Sequence, residues 1–474
     1  MGEISIGKKS RFKKVMSATD ILVVAFGAMI GWGWVVASGR WIQSAGTIGT
    51  VIGFVIGGLM IFFVGLTYAE LTPAMPRVGG EHVFSHKAFG PTGSFICTWA
   101  LILSYVGVVC FEAVSLPQII QYIFPSFAKG YMYSIAGSEV YVTGVIVASV
   151  FTIGIIVLNI LGIKAASVFQ TILTIIIAAV GIILVVASAI NGSPDNLEGQ
   201  MIVGEGFASA KNILSVAVVA PFFLFGFDVI PQVAEEINVP LKKIAKVLLL
   251  SIICAVVFYG LVVFAVGYAL NSEEIAKGMK GTGLVTAFAM EKVFKSAVMA
   301  KVLIIGGVCG VITSWNSFLI GGSRAIFSMA ESKMVPVGLA KLHKKYKTPT
   351  NALLLIGVLS FIAPFFGKQM LVWISDAASM ACCLAYLMVS MSFVVLRKRE
   401  PELHRPYKIK HYMFVGITAS LLSGFMVLMY LIPGSGATLT WQEFIIVGGW
   451  TLIGVIFYLT CKHKYKNEFG HIEV

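Results

Sequence analysis

Apolar runs long enough to cross a bilayer recur along almost the whole chain, at about 18–40, 47–72, 94–123, 140–161, 165–190, 212–236, 247–270, 299–331, 350–366, 369–396, 412–432 and 441–461. A hydrocarbon core roughly 30 Å thick needs about 20 such residues per helix. In lipid the backbone must also satisfy its own N–H and C=O groups, which helices do. The pattern predicts an all-α polytopic membrane protein of about twelve transmembrane helices. With 58% hydrophobic and 12% charged residues among 474, no length is left for a soluble domain. Residues 275–298 read as an amphipathic approach to the eighth span, and 124–139, 191–210 and 271–298 as outer loops.

The net charge of +13 follows this layout. Lys8 to Lys14, Arg77, Lys87, Lys164, Lys242 to Lys246, Arg324 to Lys347, Arg397 to Lys410 and Lys462 to Lys466 all fall on one side if both termini are cytoplasmic. That is the positive-inside asymmetry, so the charge predicts topology in a cell membrane and not a nucleic-acid partner. The N-terminal stretch Met1 to Asp20 reads as a cytoplasmic tail, having no small-residue cleavage site. The seven cysteines and seven histidines show no metal-ligand spacing. No nucleophile–base pair stands at membrane depth, so neither metal, cofactor nor enzyme chemistry is expected.

Two of the runs are broken by glycine at matching places: Gly27-Ala-Met-Ile-Gly31-Trp-Gly33-Trp34 in the first and Pro221-Phe-Phe-Leu-Phe-Gly226-Phe-Asp228 in the sixth. Glycine also serves close helix packing. Two breaks five spans apart, one carrying an acid, favour unwound backbone lining a binding site. A broken helix exposes N–H groups that attract an anion and carbonyls that attract a cation. Gly31, Gly33 and Gly226 are thus suited to a zwitterion. The same placement suggests two five-helix repeats of opposite orientation, 18–190 and 212–396, with two additional helices at 412–461, in one domain spanning 1–474.

Three acids fall inside spans, where an ionisable group is a functional candidate by default: Glu112, Asp228 and Asp376. Asp228 adjoins the second break and could partner an amine, sense protons or cap the unwound turn. Glu112 either faces the pathway or pairs with a polar group on another helix. Asp376 reads as an interfacial cap. Of the aromatic residues, Trp32, Phe223 and Phe227 are the candidate gates. The polar run Thr313-Ser-Trp-Asn-Ser317 suggests interhelical hydrogen bonding.

Several motifs resemble, in order, those of the amino acid–polyamine–organocation (APC) family of secondary transporters. Gly27-Ala-Met-Ile-Gly31-Trp-Gly33 is similar to its first-helix motif, and Pro76-Arg-Val-Gly79-Gly80-Glu81-His-Val-Phe84 with Ala88-Phe-Gly-Pro91 to the loop after the second span. Phe225-Gly-Phe-Asp228 with Glu235-Glu-Ile-Asn-Val-Pro240, Arg324 to Pro336, Thr348-Pro349 and Arg397 to Pro406 complete the set. The resemblance implies a LeuT-type 5+5 inverted repeat plus two peripheral helices. It also implies alternating access for an amino acid, by exchange or by proton-coupled symport. Carried over by position, backbone at Ile30, Gly31 and Gly33 would take a carboxylate, and carbonyls near Phe225 and Gly226 the ammonium. Asp228 and Glu112 are the proton-coupling candidates, Asp228 ahead because it adjoins the break.

Two positions depart from the family pattern. Where some relatives carry a proton-coupling lysine in the fifth span, this chain has the neighbourhood of Ile177, with no lysine between Lys164 and Lys211. Between the glycines of the first break stands Trp32, where a small residue is usual, so the carboxylate end is reshaped. A polyamine or small-amine transporter of the same fold, or a nutrient sensor that does not transport, are the rival readings.

Overall fold

Ser17 and Asp20 start the first helix with a reciprocal cap, Asp20 N–H donating to Ser17 Oγ (3.2 Å) and Ser17 N–H to Asp20 Oδ2 (2.8 Å). From there the computed structural model is helical nearly throughout; it describes residues 12–281, 283–435 and 437–472. Lys8, Lys9 and Arg11 of the expected tail lie outside the described residues.

The elements in order are α1 (Ala18–Met29), α2 (Gly33–Ala45), α3 (Thr47–Ala74), α4 (Glu81–Ile123), strands β1 (Tyr131–Ile135) and β2 (Ser138–Tyr141), α5 (Val142–Ile160) and α6 (Ile163–Asn191). Then come α7 (Phe207–Phe223), α8 (Val229–Gln232), α9 (Leu241–Ala269), α10 (Ser272–Lys280), α11 (Val285–Phe294), α12 (Ala297–Glu331), α13 (Thr350–Ile362), α14 (Gln369–Arg399), α15 (Tyr412–Leu431) and α16 (Trp441–Tyr465). Among the described residues nine helices are long and apolar enough to cross a membrane, ten when α1 and α2, bent by 47° at their break, count as one span. The chain is a multi-pass, all-α membrane protein.

Most expected runs coincide with helices to within a few residues. The third begins earlier than expected, because α4 continues back to Glu81 through a kink at Gly90 (φ 73°, ψ −170°) ahead of Pro91. The approach to the eighth span is two short helices, α10 and α11. Residues 124–139, expected as a plain loop, contribute most of the antiparallel hairpin β1–β2. Its turn residues Ala136 (φ 47°) and Gly137 (φ 77°) have the left-handed backbone of a two-residue hairpin turn.

Burial sorts the helices. The apolar stretch of α4 is 72% buried and packs between α12 and α14, whereas that of α16 is 11% buried and faces outward. The helices α1, α4, α6, α9, α12 and α14 therefore surround the two breaks, and the β1–β2 hairpin covers one face of the bundle.

Candidate functional site

The first break comes from backbone geometry at Ile30 (φ −98°, ψ 45°), which ends α1, while α2 restarts at Gly33 with no side-chain cap. Ile30 N–H still donates to Phe26 O (3.0 Å), but among the described residues the N–H groups of Gly31, Trp32 and Gly33 meet no acceptor. Close packing requires the glycines. A Cβ on Gly31 would stand 3.2 Å from Glu112 Oε1, and one on Gly33 would overlap the Phe223 ring. The Trp32 indole lies over Gly307 of α12, whose missing side chain makes room for it.

The second break begins after Pro221 in the last turn of α7 and runs from Leu224 to Asp228. Gly226 (φ 133°) has left-handed backbone and presses on α1, a Cβ there falling 2.5 Å from Ala28 Cβ. The two breaks therefore touch. The Gly226 carbonyl accepts from Val229 N–H (3.2 Å), whereas the Phe225 carbonyl meets no backbone N–H among the described residues.

Above the breaks lies a cavity of about 760 Å³. Gly31, Trp32, Gly33 and Phe225 form its floor, and Glu112, Ser115 and Ser314 line one wall. Phe111, Phe223 and Phe318 line the rest at that depth. The cavity reaches the hairpin face at Arg40, Tyr122 and Lys368, all exposed. Ser314 and Glu112 Oε1 stand together against Gly31, and among the described residues Glu112 Oε2 and Ser115 Oγ, one helical turn apart and both buried, have no hydrogen-bond partner. Tyr259 OH donates to Met29 O (3.0 Å) and so satisfies one carbonyl at the end of α1. Asp376 lines the cavity nearer the mouth and accepts from Ser375 Oγ (3.3 Å).

The opposite face is closed. Val15 and Met16 N–H donate to Glu236 O (2.9 and 3.0 Å), and Asn238 N–H returns a bond to Met16 O (2.9 Å), so the chain before α1 is strapped to the segment after α8. Arg324 Nε to Glu236 Oε1 (2.9 Å) is an ion pair with both side chains no more than 3% exposed. Lys164 pairs with Asp20 (3.2 Å) beside it. Higher up, Thr313 Oγ1 donates to Gly27 O (3.1 Å) and Ser317 Oγ to Val24 O (2.9 Å). Gln170 Nε2 donates to Thr313 O (3.1 Å) and Ser317 Oγ (2.9 Å), and Asn316 Nδ2 donates to Gln170 Oε1 (2.9 Å). The polar run of α12 is thus the interhelical adhesive its composition suggests, tying α1 to α12 and α6. Ile177 packs on Gly310, beside the carbonyls of Ile30 and Gly31.

The residues singled out from the sequence separate into two groups. Gly31, Trp32, Gly33, Phe223, Phe225 and Glu112 line the cavity. Ile30, Gly226, Phe227 and Asp228 stand behind its floor. Phe227 is wedged between the rings of Tyr68 (5.3 Å) and Tyr386 (5.4 Å). Asp228 is fully buried and accepts from Gly226 N–H (2.9 Å), Tyr105 OH (2.8 Å) and Tyr386 OH (3.0 Å), so its carboxylate holds the unwound turn to α4 and α14. Tyr105, Tyr386, Gln170, Ser115 and Ser314 were not singled out individually. Their only signal is a polar group inside an apolar run.

A family model described as amino acid permease matches residues 17–457. Similar curated proteins include a branched-chain amino acid permease of Bacillus subtilis, 27% identical over 467 residues that cover 97% of this chain and 95% of that protein. They also include a methylthioribose transporter of the same organism, 24% identical with 97% and 95% covered. An aspartate–proton symporter from it is 25% identical, with 98% and 92% covered. The chain therefore belongs to the amino acid permease family of the APC superfamily and is a secondary transporter of small amino-acid or amine substrates.

Proposed function

We propose that the chain takes up a neutral, apolar α-amino acid across the cell membrane by alternating access, in symport with protons. The supporting observation is the meeting, at the first break, of three amide N–H groups without acceptor and a Glu112 oxygen without donor. A simple anion would satisfy the amides but be repelled by Glu112, and a simple amine would satisfy Glu112 but leave the amides bare. A zwitterion serves both. Its carboxylate takes the N–H groups of Gly31, Trp32 and Gly33, and its ammonium lies between Glu112 Oε2, Ser115 Oγ and the Phe225 carbonyl. Its side chain rests among Phe111, Phe223 and Phe318. The likeness to a branched-chain amino acid permease agrees with an apolar side chain.

In this reading the open face is extracellular and both termini are cytoplasmic, which the distribution of lysine and arginine supports. The α1–α2 and α7–α8 pairs each count as one broken span. With α13, they bring the nine long helices to twelve. Residues 18–190 and 212–396 are then inverted LeuT-type repeats and 412–461 a peripheral pair. Ile30 and Gly226 shape the floor, Phe223 gates it from above and Phe227 backs it from below. Glu112 serves as amine partner and Asp228 as the fixed acceptor of the second break.

The test is counterflow in proteoliposomes with a panel of neutral amino acids, the corresponding decarboxylated amines and the corresponding deaminated acids. We expect exchange of the amino acid alone, and acceleration of its net uptake by an inward proton gradient. An amine taken up as well as its parent amino acid would overturn the zwitterion reading.

A further inference from the structure

Glu81 opens α4 immediately after Gly79 and Gly80 and is fully buried. Gln232, the last residue of α8, donates its amide Nε2 to Glu81 Oε2. Among the described residues Glu81 Oε1, Gln232 Oε1 and the nearby Tyr68 hydroxyl, all on fully buried side chains, have no partner within hydrogen-bonding geometry. An ionised glutamate only accepts and cannot supply the donor that these buried acceptors lack, whereas a carboxylic acid carries one. The groups facing Glu81 supply no positive charge. They are Asp228 after the second break, Tyr68 from α3, and Tyr105 and Cys97 from α4, with Tyr386 and Cys382 of α14 around Asp228. The bases nearby are engaged elsewhere. His82 bonds Ser94, Thr98 and Ser332, Arg324 pairs with Glu236, and Arg77 stands 4.0 Å from Glu235.

Two carboxyl groups sharing one dry layer cannot both carry charge cheaply, and the donors decide which one does. Asp228 receives three, from Tyr105, Tyr386 and Gly226, and is built to be an anion. Glu81 receives one from the Gln232 amide and faces the Tyr68 hydroxyl. We propose that Glu81 holds the coupling proton in this conformation and releases it to water when the opposite face opens. The release follows from connectivity. Gln232 is four residues ahead of Glu236, so the amide that covers Glu81 and the ion pair that closes this face sit on one segment, and in the proposal that segment moves as a unit when the pair opens. The O–H bond of the carboxylic acid then breaks, the proton passes to water on that side, and the carboxylate is hydrated. The transport consequence rests on the proton-symport reading; the protonation itself does not.

The experiment is infrared difference spectroscopy of the purified full-length protein without substrate, in H₂O and D₂O at neutral pH, on wild type, Glu81→Gln and Asp228→Asn. A protonated-carboxyl carbonyl band should be lost in Glu81→Gln and kept in Asp228→Asn. In proteoliposomes Glu81→Gln should retain counterflow but no longer accumulate substrate under a proton gradient, and Glu81→Asp should restore accumulation in part. A spectrum of Glu81→Gln identical to wild type, or full gradient-driven accumulation by that variant, would overturn the proposal. Failure of wild type to accumulate any amino acid under a proton gradient would instead strike the symport reading, since the spectrum is recorded without transport.

Discussion

Replacing Glu112 by glutamine keeps the size of the side chain at the first break but turns one acceptor oxygen into a donor and removes the charge that faces a bound ammonium, so its effect on binding can be worked out in advance. Glu112 is 3% exposed, stands with Ser314 against Gly31, and has no hydrogen-bond partner at Oε2 among the described residues. An ammonium there forms a charge-assisted bond, which contributes about 1.5–3 kcal/mol. At about 1.4 kcal/mol per factor of ten, Glu112→Gln should weaken binding of a neutral amino acid by about ten- to 150-fold. The deaminated acid of the same side chain should behave oppositely. Glu112 Oε1 lies close to Gly31, 3.2 Å from where a Cβ would stand, so its carboxylate repels a second one held there, and Glu112→Gln should bind the deaminated acid more tightly. Calorimetric or scintillation-proximity titration of both proteins with both ligands completes a double-mutant cycle, and the coupling should be at least as large as the single effect. Equal weakening of both ligands would mean that Glu112 only supports the fold, and the proposed ammonium site would be wrong.

Other consequences follow from the same geometry. Gly33→Leu drives a side chain into the Phe223 ring and over the exposed amides, so binding should be lost while membrane insertion, judged by monodisperse elution, survives. Tyr105→Phe and Tyr386→Phe each remove one donor from buried Asp228 and should destabilise the protein by about 1–3 kcal/mol, read as a lower thermal unfolding midpoint in detergent. Arg324→Met leaves Glu236 buried without its partner, at a penalty of about 3–5 kcal/mol to the closed face. A cysteine placed at Ser115 should then be alkylated more slowly from the hairpin face, and Arg324→Met with Glu236→Gln should recover part of the rate.

How much of this could be read from residues depends on the distance over which the physics acts. Lipid imposes its requirement on each run of about 20 residues separately, so the helix positions were legible, as was the break at Gly31 to Gly33. The β1–β2 hairpin was not, because Tyr131 to Tyr141 offers few residues and only Ala136-Gly137 as a turn signal. The wall around Glu112 was legible only as an acid in an apolar run; Ser314, its neighbour at Gly31, comes from α12, some 200 residues on. For Asp228 next to the second break the sequence leaves amine partner, proton sensor and cap on the unwound turn open, and its side chain turns to Gly226, Tyr105 and Tyr386 rather than into the cavity. The left-handed turn at Gly226 decides that, and an unwound segment has no period from which a facing direction can be read. The buried pair of Glu81 and Gln232 joins residues 151 apart, and nothing local in either one announces the other.

The most direct test of the account is a cryo-electron-microscopy structure of the protein in lipid nanodiscs with a bound neutral amino acid. The account predicts ligand density on the floor of the cavity, its carboxylate within about 3 Å of the amide nitrogens of Gly31, Trp32 and Gly33 and its ammonium at Glu112 Oε2. Density elsewhere, or an amino acid bound with its carboxylate away from the first break, would contradict it.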